Sequence, residues 1–249
     1  MSETGSKVKG RGKGRPRKSG TVSRNQREDI LKKAFELFQD RGYQNTSMVA
    51  IAKAVGLNQS SLYYWFESKN EILRAIVESN SAPLRSGREV ARLSSSAAVQ
   101  LYLLLYADTK SLCEFPFDYF TIEQLARSQR ESFGEFFSRY DELMHLASDV
   151  VSLGVSQGAF SEGDPMACAA LALAFDEGVQ HRYHTSMAIR EGRMEGIPHL
   201  DASADQVARA SARGTVLSLL RDKGAFADVE REALGLIPKL GALTDEGAL

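Results

Sequence analysis

Residues 46 to 66 constrain this chain more than any other stretch, because they hold two short helical patterns divided by a single glycine, Gly56. The first opens at Thr46 or Ser47, whose hydroxyl can accept from a backbone amide that the first turn leaves unpaired. It carries Met48, Ile51, Ala52 and Val55 at helical spacing on a body of small residues. Gly56 ends it, being the residue type that enters the left-handed region at least cost. Leu57 then turns the corner and Asn58 is placed to cap a second helix. Leu62 and Phe66 of that helix lie four apart and face inward.

What remains outside is Gln59, Ser60, Ser61, Tyr63, Tyr64 and Trp65. Amides, hydroxyls and phenols are the groups that meet base edges and phosphates, and a helix fits the major groove of B-form DNA. Two helices joined by a tight glycine turn, the second polar on its outer face, form a helix-turn-helix. Gln59 and Tyr64 are the expected base readers, with Ser60 facing bases or backbone and Asn58 beside them at the cap. Thr46, Ser61, Tyr63 and Lys69 are expected on phosphates. Lys69 opens the next helix, where a cation is unfavourable unless an anion lies near. Ser68 and Glu71 have capping-box spacing there.

Gly42, Thr46, Ile51, Ala52, Gly56, Leu62, Tyr63, Phe66, Lys69 and Leu73 together resemble the DNA-binding domain of the TetR family of bacterial transcriptional regulators, over Phe35 to Leu73. Trp65 stands where that family more usually has Tyr or His. The resemblance implies an all-α fold: an N-terminal three-helix helix-turn-helix domain and a C-terminal helical domain for ligand binding and dimerisation. It further implies a homodimer on a double-stranded DNA operator, released by a small hydrophobic ligand. It also assigns residues 69 to 80 the role of linking the reading head to the regulatory part, and residues 165 to 190 and 204 to 221 that of a four-helix dimer interface.

Charge divides the chain the same way. Residues 1 to 80 carry a net +7 and residues 81 to 249 a net -8, so only the first part suits a polyanion. Residues 1 to 24 are almost free of apolar side chains and are expected to form a disordered basic tail. Within it Lys13 to Lys18, with Arg15 and Arg17 around Pro16, partly resembles an AT-hook. A minor-groove reader of A·T-rich DNA and a plain phosphate-binding arm are both compatible with it. Residues 25 to 80 then form the DNA-binding domain with its linking helix, 81 to 240 the regulatory and dimerisation domain, and 241 to 249 a frayed end. No apolar run reaches membrane-spanning length and the amino terminus is no secretory signal, so the expected site is the cytoplasm with no membrane partner. Cys113 and Cys168 read as reduced core thiols.

Within the regulatory part, residues 81 to 96 read as a linker or irregular helix, interrupted by Pro83, Gly87 and serines. Residues 97 to 112 are apolar nearly all round and should be buried on most sides. Residues 113 to 120 are the densest aromatic cluster and precede a long helix over 131 to 157. The implied ligand pocket is therefore assigned to Tyr102, Tyr106, Phe117, Phe120, Phe137 and Tyr140, with His181 at a polar edge. The same aromatics would equally fill a core. His181 and His184 with Glu177 share a helical face but match no zinc spacing. No metal, cofactor or catalytic signature is present, so the chain reads as a regulator rather than an enzyme. An activator with the same head, an A·T-rich architectural binder and a helical enzyme with a DNA-binding head are the alternatives.

Overall fold

The computed structural model describes residues 20–79, 82–93, 95–115, 117–128, 130–192, 195–196 and 200–245. Arg15 and Arg17 lie outside them. Among the described residues the regular structure is helical, apart from an isolated antiparallel bridge between Phe160 and Leu220.

The first four helices are α1 (Gly20–Arg41), α2 (Met48–Ala54), α3 (Gln59–Trp65) and α4 (Lys69–Glu78). The start of α1 at Gly20 takes in residues 20 to 24, which the sequence assigns to the tail. Each of the next three helices begins where a short polar side chain meets an orphan amide: Ser47 accepts from Ala50 N, Asn58 from Ser61 N and Ser68 from Glu71 N. The carboxylate of Glu71 reaches the amide of Glu67 at 2.6 Å, one residue before the reciprocal partner a standard capping box uses. Between α2 and α3, Gly56 sits at φ +69°, the backbone state its lack of a Cβ permits. Ile30, Phe38, Ile51, Leu62, Phe66, Ile72 and Ile76 fill the space between these helices.

That core does not stop at residue 80. It continues through Phe117 and into Ile122 and Leu125 of α7 (Tyr119–Arg127), and the Phe35 and Phe117 rings lie 4.6 Å apart. The head is thus seated on the C-terminal helical part by apolar packing, with α4 touching α7.

A second core is built around α6 (Ala97–Glu114), which is buried along most of its length as its all-round apolar pattern requires. Around it stand α5 (Ala82–Ala91), α8 (Gly134–Ser156), α9 (Pro165–Arg190), α10 (Ala204–Leu219) and α11 (Phe226–Asp245). Of the two readings of this stretch, linker or irregular helix, residues 82 to 91 take the helical one and form it regularly. Pro83 falls in its first turn, where no amide partner is lost, and Gly87 is buried against Leu143 and Leu146. The last helix likewise runs through residue 245, past the expected fraying point, with Pro238 inside it.

Candidate nucleic-acid interface and regulatory cavity

α3 is anchored by Leu62 and by the Phe66 that follows it, both buried. Gln59, Ser60, Tyr63 and Tyr64 therefore point away from the core. Gln59 and Ser60 are exposed, Tyr63 is 45% and Tyr64 83% exposed. Trp65 is half-buried against the head's core and meets Tyr64 edge-on at 5.6 Å, which holds the ring that points furthest into solvent. The side-chain oxygen of Asn58 is taken up at the cap, accepting from Ser61 N at 2.7 Å and from the Ser60 hydroxyl at 2.8 Å. Its amide nitrogen is the group left to reach outward. Val49 on α2, 56% exposed, borders the same surface and was not singled out by its apolar character.

Two expected phosphate ligands are placed otherwise. Thr46 is buried, and its hydroxyl donates to Leu37 O at 3.2 Å and Gly42 O at 3.0 Å, tying the end of α1 to the start of α2. Lys69 turns its ammonium inward onto Tyr43 O at 2.5 Å and Thr46 O at 2.8 Å, with Gln44 O at 3.5 Å. The Tyr43 ring lies 4.2 Å beneath it. Burial lowers the pKa of this lysine. The anion that offsets a cation at the start of α4 is a set of carbonyl dipoles within the protein.

The C-terminal helical part contains a cavity of about 40 Å³ between α6, α8 and α9, with Tyr119 of α7 in its lining. Of the seven residues expected to line a pocket, Tyr140 alone does so. Tyr102 is fully buried beside Phe226, and Tyr106 donates to Asp205 at 2.7 Å on the far side of α6. Phe117 is the plug against Phe35, Phe120 is 49% exposed, and Phe137 packs at the edge of the first core beneath Arg130. His181 reaches Asp118 at 3.2 Å and stacks 5.3 Å from Phe120, so it links α9 to the cap of α7 and does not face the cavity. Aromatic spacing alone could not separate core from cavity, because both need the same inward face.

The cavity's chemistry is also more polar than expected. Asp108, Arg139, Tyr140 and Glu177 line it together with Tyr119, Phe136 and leucines. Burial, then the neighbouring Asp176 and Glu177, raises the Asp108 carboxyl well above the usual carboxylate range. Burial also raises Glu177, against a hydrogen bond from Tyr140 that pulls it down. The sequence carried a signal for this: Asp108 is an acid within a helix that is apolar all round.

Residues 30–76 match the family model described as bacterial regulatory proteins, tetR family. The chain is 38% identical over 52 residues to the biofilm operon icaADBC HTH-type negative transcriptional regulator IcaR of Staphylococcus epidermidis, a match covering 21% of this chain and 28% of that protein. Among solved structures it is similar to Mycobacterium smegmatis AmtR, with 26% identity, a TM-score of 0.62, and 89% of this chain and 98% of that chain covered. The TetR family regulator PfmR of Thermus thermophilus aligns with 26% identity and a TM-score of 0.58 over 75% of this chain and 96% of that chain. No helix among the described residues is long and apolar enough to cross a membrane. Residues 30–76 thus carry the DNA-binding head of the TetR family of bacterial helix-turn-helix transcriptional regulators, and the helical architecture beyond it is similar to that of solved TetR-like structures.

Proposed function

We propose that the protein is a homodimeric repressor that binds a two-fold symmetric operator and leaves it when a small molecule fills the regulatory cavity. The observation that carries the DNA-binding part is the outward face of α3. Gln59, Ser60, Tyr63 and Tyr64 present hydrogen-bonding groups from a helix whose opposite side is locked by Leu62 and Phe66. Two such helices about 34 to 36 Å apart meet successive major grooves. Ser61 and the amide of Asn58 add backbone contacts. Arg15 and Arg17 extend the footprint to phosphates or the adjacent minor groove.

Dimerisation is supported by the outer side of α9, where Ala167, Leu171, Ala174, Phe175 and Gly178 form one exposed apolar face. Leu171 is 73% and Phe175 51% exposed, and the exposed Ala210 and Gly214 of the neighbouring α10 offer small residues for close approach. Repression is supported by the description of IcaR as a negative regulator.

The route for release runs through the segment before α7. Phe117 touches the head at Phe35, Tyr119 lines the cavity, and Asp118 between them accepts from Gln180 on α9 at 3.2 Å. A ligand that displaces Tyr119 thus acts on the head and on the dimer helix at once. This route is more direct than movement of α4 alone.

The test is selection of bound duplexes from a randomised pool, followed by anisotropy titration of wild type and Tyr64→Ala. A symmetric consensus whose affinity falls ~10-fold or more in the variant is expected, since a base-edge contact is worth ~1–3 kcal/mol. Equal binding to every duplex by both proteins sinks the operator reading.

A further inference from the structure

We propose that the cavity between α6, α8 and α9 recognises a small molecule bearing an ammonium group, held by Asp108 and Glu177, with a hydrogen-bond acceptor on the ligand meeting Arg139. The inference deepens the regulatory reading above and rests on it, because it names the chemistry of the molecule that fills the same cavity. Asp108 is buried and lines the cavity, yet its carboxylate accepts no hydrogen bond among the described residues. Ser111 donates to the main-chain carbonyl of Asp108 and not to its carboxylate, and Ser211 donates to Asp176 at 2.5 Å. Across the cavity, Nε and Nη2 of Arg139 are buried with no partner. An unpaired buried acid and unpaired buried donors on the walls of one cavity are each costly, and a bound ligand that satisfies both recovers that cost.

The sign of the charge decides between ligands. Two carboxylates, Asp108 and Glu177, line the cavity against one guanidinium, and Asp176 lies behind Asp108 as a third acid. One ammonium group balances the lining charges when both acids are ionised. Tyr119, Phe136 and Tyr140 supply aromatic faces that favour a cation further. An apolar molecule would leave Asp108 and the two buried nitrogens of Arg139 without a partner.

The other titratable groups close to Asp108 are Cys113 on its own helix, Tyr119 on α7, Tyr140 on α8, and Asp176 and Glu177 on α9. Because Asp108 and Glu177 hold protons more readily than ordinary carboxyls, an ammonium ligand expels protons as it binds. Binding therefore tightens as pH rises.

The experiment is isothermal calorimetry on the full chain with butylamine, γ-aminobutyrate and butyrate as probes, each in two buffers of different protonation enthalpy. Expected are binding of butylamine with proton release, tighter binding of γ-aminobutyrate, and none of butyrate. Asp108→Asn, a near-isosteric change whose melting curve reports that it has folded, should weaken the amines ~10-fold or more and reduce the proton release to the share that Glu177 supplies. Glu177→Gln is the second variant. Arg139→Met should equalise butylamine and γ-aminobutyrate. Butyrate binding as well as γ-aminobutyrate, or no probe binding at all, overturns the proposal. Butylamine binding tighter than γ-aminobutyrate overturns the part given to Arg139. Operator binding by wild type without any probe is measured separately, so loss of the DNA-binding reading and loss of this one are told apart.

Discussion

Replacing Lys69 by Met separates an internal role for this cation from a role on DNA. The ammonium holds two carbonyls of the α1–α2 turn at 2.5 and 2.8 Å, a third at 3.5 Å, and lies 4.2 Å over the Tyr43 ring. Hydrogen bonds to a charged group are worth about 1.5–3 kcal/mol and an exposed cation–π contact about 0.5–1 kcal/mol. Lys69 is only partly buried, so water takes over some of these bonds, and the whole set is worth about 2 kcal/mol. Met keeps the stem's apolar contacts and removes only the charge. For a protein of this size the loss lowers the melting temperature by ~4–8 °C. The salt dependence of operator binding should stay as in wild type, whereas a lost phosphate contact would flatten it by ~0.9 in log–log slope. Scanning calorimetry and anisotropy titrations over a salt series read the two quantities. A variant that melts like wild type but has the flatter slope would refute the inward placement and restore Lys69 to the phosphate backbone.

Gly154 on α8 lies under the buried Phe160 ring, and a Cβ there would come 2.1 Å from Phe160 Cδ2; Gly154→Ala should cost ~1–3 kcal/mol in denaturant unfolding, with most of it recovered by adding Phe160→Leu. Asp176 is wholly buried and its carboxyl is raised by that burial from 3.8 to about 7. The folded state therefore binds a proton that the unfolded chain releases, and the stability this brings is lost as pH climbs through that window. Asp176→Asn keeps an acceptor for Ser211 and should flatten the fall in melting temperature between about pH 4 and about pH 7. If the exposed face of α9 joins two copies as proposed, Leu171→Glu combined with Phe175→Glu places charge on it and should sediment as a monomer where wild type sediments as a dimer, since burying each side chain is worth ~1.5–3 kcal/mol per protomer.

The residues whose fate the sequence reveals are those whose partners are near in the chain. Ser47, Asn58 and Ser68 cap the amides three residues on, and Leu62 and Phe66 face inward because their own helix's spacing demands it. Lys69 was legible as a cation needing an anion, but its partner lies 26 residues earlier, and no local pattern distinguishes a carbonyl in the same protein from a phosphate outside it. Thr46 posed the same problem with a hydroxyl. The aromatics of residues 113 to 120 divide among three destinations: Phe117 under the reading head, Tyr119 at the cavity and Phe120 towards solvent beside His181. Consecutive residues at the start of a helix point in different directions, so their shared composition says nothing of a shared site. The more telling signal was a contradiction. An acid inside a helix buried all round must find a partner or hold a proton, and Asp108 has no hydrogen-bonding partner and stands in a cavity wall. A residue that violates its own helix's pattern therefore marks the cavity better than the aromatics that obey theirs.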